Sequence, residues 1–171
     1  MVTKVADVRD LVNSGVANPR QVFPNIKALA KSDDWAEREV SATALVEISK
    51  KQPEKIVAEM LIWSKDRDPK VRRTASEALR HVARNHPANV IPILEHLKAD
   101  SNLYVRKSVG NVLRNAGNYD PDFVLSVCSQ WATLHNTNTN WIIKDGLRKL
   151  KTTRPAEVER ILRSLRSTGS A

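Results

Sequence analysis

The stretch Asp68-Pro-Lys-Val-Arg-Arg-Thr-Ala-Ser-Glu-Ala-Leu-Arg-His-Val-Ala-Arg84, closed by His86-Pro87, decides the fold, because the rest of the chain copies it. A shift of 34 residues returns its landmarks. Leu79 falls on Leu11, Leu45, Leu113 and Leu147, and Pro87 on Pro19, Pro53, Pro121 and Pro155. Arg72 falls on Arg38 and Arg106, and Asp68 on Asp34, Asn102 and Asn136. Five such units, at about 1–33, 34–67, 68–101, 102–135 and 136–167, make a single repeat domain over residues 1–171. A fixed period of this length marks a solenoid, in which units bury their apolar faces against their neighbours.

Within the quoted unit the pattern is helical. Asp68 can accept hydrogen bonds from the free N–H groups of a first turn, and Pro69 suits the first helical position. Val71, Ala75, Ala78, Leu79 and Val82 form one buried stripe. A shorter helix starts at Pro87, with Val90, Ile91, Leu94 and Leu97 as its stripe. Its copies are Ile56, Val57, Met60 and Trp63; Val124, Leu125, Cys128 and Trp131; Val158, Leu162 and Leu165; and Val22, Phe23, Ile26 and Leu29. The periodicity predicts helices near 3–14, 19–31, 35–51, 53–65, 69–85, 87–99, 103–117, 121–133, 137–151 and 155–166. No segment alternates with period two, so no strand is expected. The expected fold is all-α, a right-handed α-solenoid of about five two-helix units. The polar connection at 134–139 is expected to be its most mobile loop, and residues 167–171 to fray.

Composition bounds the function classes. With 41% hydrophobic residues the chain can bury a continuous core, and 27% charged residues fit a soluble protein. One cysteine cannot form an internal disulfide, so a reducing, cytoplasmic setting is the simpler expectation. No apolar run reaches membrane-spanning length and no apolar signal core opens the chain, so neither membrane insertion nor export is expected. A net charge of +9 and a pI near 9.9 point toward a polyanionic partner.

The period of 34 first suggests tetratricopeptide repeats. Those need a small residue where helices cross, and with the prolines aligned that position holds Trp63, Leu97, Trp131 and Leu165. The unequal helices, the Asp-Pro-x-Val-Arg opening and the Ala-x-x-Ala-Leu stripe resemble HEAT repeats instead.

The positive charge is unevenly placed. Off the buried stripe, the long helices carry Arg38, Arg72 and Arg106; Glu39, Arg73, Lys107 and Trp141; Glu77 and Asp145; Arg80, Arg114 and Arg148; and Lys50 and Arg84. That is ten basic against three acidic residues, whereas the equivalent columns of the short helices carry three of each. Stacked at about 10 Å, such side chains form a ladder that can follow phosphates. The column of Arg80, Arg114 and Arg148, with Arg73 and Lys107, is read as ligand-contacting. For Arg38, Arg72 and Arg106 an internal bond to a neighbouring cap carboxylate stands beside DNA contact.

The five glycines do not cluster as a nucleotide loop needs, and the four histidines have no metal spacing with each other or with Cys128. No metal or other cofactor is expected. Gly110 and Gly146 are read as sites of close helix contact, and Cys128, Trp63 and Trp131 as core. Two Trp–carboxylate pairs remain, Trp35 with Glu39 and Trp141 with Asp145, each one helical turn apart. An indole can contact a cationic modified base, and a carboxylate can stabilise the sugar cation left as the base departs.

The repeat architecture, the Trp-x-x-x-carboxylate spacing and the segments Tyr104-Val-Arg-Lys-Ser-Val-Gly-Asn-Val-Leu-Arg114 and Asn140-Trp-Ile-Ile-Lys-Asp-Gly-Leu-Arg-Lys-Leu150 resemble the HEAT-like alkylpurine DNA glycosylases of alkylation repair, over roughly residues 20–165. The resemblance implies a concave basic groove on the DNA backbone. It also implies metal-free excision of N3- or N7-alkylpurines by a Trp-x-x-x-Asp pair, an Arg and a further Trp. Trp35 fits the aromatic position with Glu39 in place of Asp; Trp141 and Asp145 fit both letters in the last unit; Arg106 or Arg72 fits the Arg. The expected ligand is therefore duplex DNA, bound by a monomer. The alternative is a non-catalytic scaffold for an acidic protein partner.

Overall fold

A computed structural model describes residues 5–166, with side chains from residue 8. Residues 3–4 of the first expected helix and the tail at 167–171 lie outside the described residues. The order is α1 (Val5–Ala17), α2 (Pro19–Lys31), α3 (Trp35–Ser49), α4 (Pro53–Trp63), α5 (Pro69–Glu77), α6 (Arg80–Asn85), a 3₁₀ turn (Pro87–Val90), α7 (Ile91–Leu97), α8 (Leu103–Gly117), α9 (Pro121–Ala132), α10 (Thr137–Gly146), α11 (Leu150–Thr153) and α12 (Pro155–Ser164). Among the described residues there is no strand, and no helix is long and apolar enough to cross a membrane. The fold is an α-solenoid. Helices α1, α3, α5–α6, α8 and α10–α11 form one layer, packed on each other in succession; α2, α4, α7, α9 and α12 form a second, looser layer.

The core follows the repeat. Val71, Ala75, Ala78, Leu79 and Val82 are fully buried, as are Leu45 and Leu113 in the Leu79 column. In the second layer Val90, Leu94 and Leu97 are buried as expected, but Ile93 is buried where Ile91 was expected and Ile91 is only half-buried. The offset is not peculiar to this helix: Val57, in the Ile91 column, is half-buried too, and in α12 Ile161 is buried while the expected Leu162 is half-buried. Cys128 is buried, and Trp63 and Trp131 are buried with their indole N–H groups donating to Glu59 (2.7 Å) and Glu95 (2.6 Å).

Two expected long helices are broken, both at one repeat position. In the third unit Leu79 N–H reaches back three residues to Ser76 O, and Thr74 Oγ1 donates to Lys70 O at 3.0 Å, a back-bond that bends helices. In the fifth, Arg148 N–H likewise reaches Asp145 O. At each break an arginine side chain donates to the carbonyl of the acidic residue: Arg80 Nε to Glu77 O (3.1 Å) and Arg114 Nη1 to Asp145 O (3.4 Å).

The units are tied by a repeated clamp. Asp34, Asp68, Asn102 and Asn136 cap α3, α5, α8 and α10 by accepting from backbone N–H groups two or three residues on. Two residues before the cap, Ser32, Asp66 and Asp100 accept the cap's own N–H. Arg38, Arg72 and Arg106 each donate Nη1 to the two carbonyls six and five residues back, at 2.7–3.0 Å. The fifth unit lacks both parts, with Leu134 and Asn140 in those places. There His135 takes φ 51°, and Asn140 Oδ1 is buried without a hydrogen-bond partner.

Candidate functional site

The ten basic residues singled out from the sequence sit on the layer of long helices, in three kinds of environment. Arg38, Arg72 and Arg106 are occupied by the loop clamp, and Arg72 also forms a two-pronged ion pair with Asp100 of the following turn, at 2.7 and 3.1 Å. The internal role is therefore observed, with loop carbonyls as the main acceptors and not only a carboxylate. Arg73 and Arg114 reach across units to carboxylates: Arg73 Nη2 to Glu39 at 2.9 Å, and Arg114 Nη1 to Asp145 in a close ion pair. Arg80, Lys107, Arg148, Lys50 and Arg84 make up the third group. Arg148 is 66% exposed and 3.8 Å from Asp145; Lys107 lies over the Tyr104 ring at 5.6 Å; Arg84 lies over Tyr119 at 4.2 Å; Lys50 pairs with Glu47.

The wall is hollowed. A cavity of about 420 Å³ is lined by Arg38, Lys70, Arg73, Asn102 and Tyr104, and one of about 490 Å³ by Glu47, Arg80, Arg84, Asn115 and Tyr119. Each draws on three successive long helices, so the middle helix is set back from the line joining its neighbours. A third hollow, of about 520 Å³, lies between α1 and α3 and is mostly apolar, with Val8, Val12, Trp35, Glu39 and Val40 in its lining. Trp35, Glu39, Thr43 and Glu47 follow one another at four-residue steps down α3. Thr43 and Glu47 also line the second hollow, so the two border on each other.

The two Trp–carboxylate pairs are in opposite states. Trp35, the first residue of α3, is 68% exposed, and Glu39 below it is held by Arg73 at the side of the open hollow. Trp141 lies one turn further into its helix than Trp35 does, half-buried against the core, with the Arg106 guanidinium 5.7 Å from its ring centre. Asp145 is 16% exposed, closed in by Arg114, Arg148 and the backbone of Gly110, where an added Cβ would press on its carboxylate. Gly110 and Gly146 do mark the close approach of α8 and α10. Arg106, Arg114, Trp141, Asp145 and Arg148 thus converge in one cluster, while Trp35 and Glu39 stand two units away with Arg73.

Some groups on the wall escape the column reading. Glu47, His81 and Asn115 share a repeat column outside those that carry the excess charge, and all face the second hollow. Their 34-residue spacing was the available signal. Burial, together with the charges of Lys50 and Arg84, holds His81 below its ordinary value. Burial also pushes the Glu77 carboxyl up, against the pull of Arg80 and Arg73, and nearby Glu39 adds to the rise. Among the described residues no group of acidic, His or Cys side chains is placed to hold a metal ion.

Comparison with known proteins accords with this construction. A family model described as HEAT repeats matches residues 23–114, more than half of the chain. Among solved structures, the chain is similar to the Pseudomonas fluorescens alkylpurine DNA glycosylase AlkC bound to DNA containing an abasic site analog. The TM-score is 0.73 and the identity 30%, over 89% of this chain. The chain spans 44% of that protein's length. No curated protein matches the sequence. The chain belongs to the HEAT-repeat family.

Proposed function

We propose that the chain binds duplex DNA along its long-helix wall and excises N3- or N7-alkylated purines, with Trp35 and Glu39 at the reacting nucleotide. The observation that carries this reading is Trp35 itself: a 68% exposed indole beside a hollow, one helical turn from a carboxylate that Arg73 orients. The indole is continuous with the apolar lining that Val8, Val12 and Val40 give the hollow, so a ligand can cover it there. A purine alkylated at N3 or N7 is cationic, and the indole face attracts it. The base leaves with both electrons of its C1′–N bond and becomes neutral, so the alkyl group itself activates the leaving group. The oxocarbenium ion left on the sugar is stabilised by the Glu39 carboxylate, until water adds at C1′ and loses a proton. Arg148, Arg80 and Lys107 meet backbone phosphates, while Arg73, Arg114 and the clamp arginines Arg38, Arg72 and Arg106 shape the wall. Asp145 holds Arg114 and Arg148 in place. The protein acts as a monomer.

The test is release of 7-methylguanine from alkylated duplex, measured by mass spectrometry with the full chain. Glu39→Gln should lower release by about 100-fold or more, the loss typical of a removed charge stabiliser, and Asp145→Asn should largely keep it. Duplex affinity should fall steeply with salt, with a slope near −0.9 per phosphate contacted. Loss in Asp145→Asn with retention in Glu39→Gln would move the site to the fifth unit. Salt-sensitive duplex binding without any release would overturn catalysis. Capture of an acidic protein without duplex binding would favour the scaffold alternative.

A further inference from the structure

The hollow between α3, α6 and α8 takes no part in the reaction above, and its chemistry differs from the rest of the wall. Elsewhere most guanidinium groups are committed: those of Arg38, Arg72 and Arg106 to loop carbonyls, and those of Arg73 and Arg114 to carboxylates, with Arg148 exposed beside Asp145. Here two neighbouring ones are not. Among the described residues Arg84 has no hydrogen bond or ion pair, only the face of Tyr119 at 4.2 Å. Arg80 uses Nε on Glu77, which leaves both its Nη groups without a partner among the described residues. Among those residues the side-chain amides of Asn115 and Asn118 and the Tyr119 hydroxyl are likewise without partners, and Tyr119 is 54% exposed. The one carboxylate in the lining, Glu47, is offset by Lys50 at 2.6 Å.

We propose that this hollow binds one unpaired nucleotide of the DNA, a reading that rests on the DNA binding proposed above. Each part of a nucleotide finds its counterpart. Free guanidinium N–H groups of Arg80 and Arg84 match a phosphate in fork geometry. The planar pair of Arg84 on Tyr119 is a stacking platform for a base. The amides of Asn115 and Asn118 offer donors and acceptors to a base edge. A volume near 490 Å³ is in the range of small-ligand sites. A base in a duplex has its faces stacked and its edge paired, so only an unpaired one can use all three. The hollow borders the Trp35 hollow along α3, so the nucleotide it holds lies beside the candidate reaction site.

The experiment compares two probes with the full chain by fluorescence anisotropy: a fully paired duplex, and the same duplex with one bulged 2-aminopurine. The bulged duplex should bind about tenfold more tightly, the scale of one stacked base, and its 2-aminopurine emission should fall on binding. Tyr119→Ala should abolish both the preference and the quenching while leaving paired-duplex affinity within about twofold. Tyr119→Phe should keep both, and Arg84→Ala should weaken both probes, since it also removes a phosphate contact. Far-UV circular dichroism checks that each variant is folded. Equal affinity for the two probes, or quenching that survives Tyr119→Ala, overturns the inference. Paired-duplex binding without a bulge preference sinks this inference alone, whereas absence of any duplex binding sinks the reading beneath it as well.

Discussion

Two glycines of α8 should respond to alanine with opposite signs. In a helix interior, Ala is favoured over Gly by about 1 kcal/mol. At Gly117, the last residue of α8, the added methyl would lie 3.4 Å from Leu150 Cδ1, an ordinary contact, so part of that gain should appear without a clash. At Gly110 it would sit inside the contact distance of Asp145 Oδ2 and 3.1 Å from Cγ. The carboxylate cannot swing away freely, because it is paired with Arg114 and the two side chains are only 16% and 13% exposed. Separating a buried pair costs about 3–5 kcal/mol, and roughly half of that is reasonable where some water can enter. The net for Gly110→Ala is then a loss of about 0.5–1.5 kcal/mol once the helix gain is subtracted. Urea denaturation followed by circular dichroism reads both variants, and midpoints should move apart at unchanged slope. The mechanism is isolated in an Asp145→Ala background, where Gly110→Ala has no carboxylate to displace and should turn neutral or stabilising. If Gly110→Ala is as stable as Gly117→Ala, or costs the same in both backgrounds, the packing argument fails.

Further outcomes follow from the same contacts. Arg72→Ala strips Asp100, 6% exposed, of its ion pair and frees two loop carbonyls, and should cost about 3 kcal/mol. At this chain length that is a fall in Tm of roughly 6–12 °C, and a shift under 2 °C would refute the clamp. Glu77 has a raised proton affinity in the folded state, so its contribution to stability is full below its ordinary value of 4.5 and is lost as pH rises through the folded value. Glu77→Gln should therefore compare more favourably with the parent at pH 7 than at pH 4 in thermal melts; the reverse order would contradict the burial argument. Burial pushes the Cys128 thiol up to about 12, so a thiol reagent at neutral pH should label it only as fast as the protein unfolds.

Much of this was legible from one unit. The cap at Asp68, the proline after it and the stripe from Val71 to Val82 locate the helices, because capping and periodicity act within a few residues. The same locality explains the error at Ile91 and Ile93, because which of two nearby apolar side chains is covered depends on how the adjacent helices seat, not on residue type. The break at Leu79 is accompanied by local bonds, Thr74 to Lys70 and Arg80 to Glu77, whereas at the break near Leu147 the carbonyl of Asp145 is met by Arg114 of the preceding unit.

The charge columns show the same division. That Arg80, Arg84, Arg114 and Arg148 share a wall follows from a 34-residue period and a helical repeat, which are properties of the chain alone. Which of them is spent within the protein does not. Arg114 meets Asp145 and Arg73 meets Glu39 from more than 30 residues away, so only the stacking of units decides that Trp141 and Asp145 are closed while Trp35 and Glu39 stand open. Periodicity sets the face a side chain points to; whether a partner is waiting there depends on how closely the next helix approaches, and that distance is set by packing at residues such as Gly110.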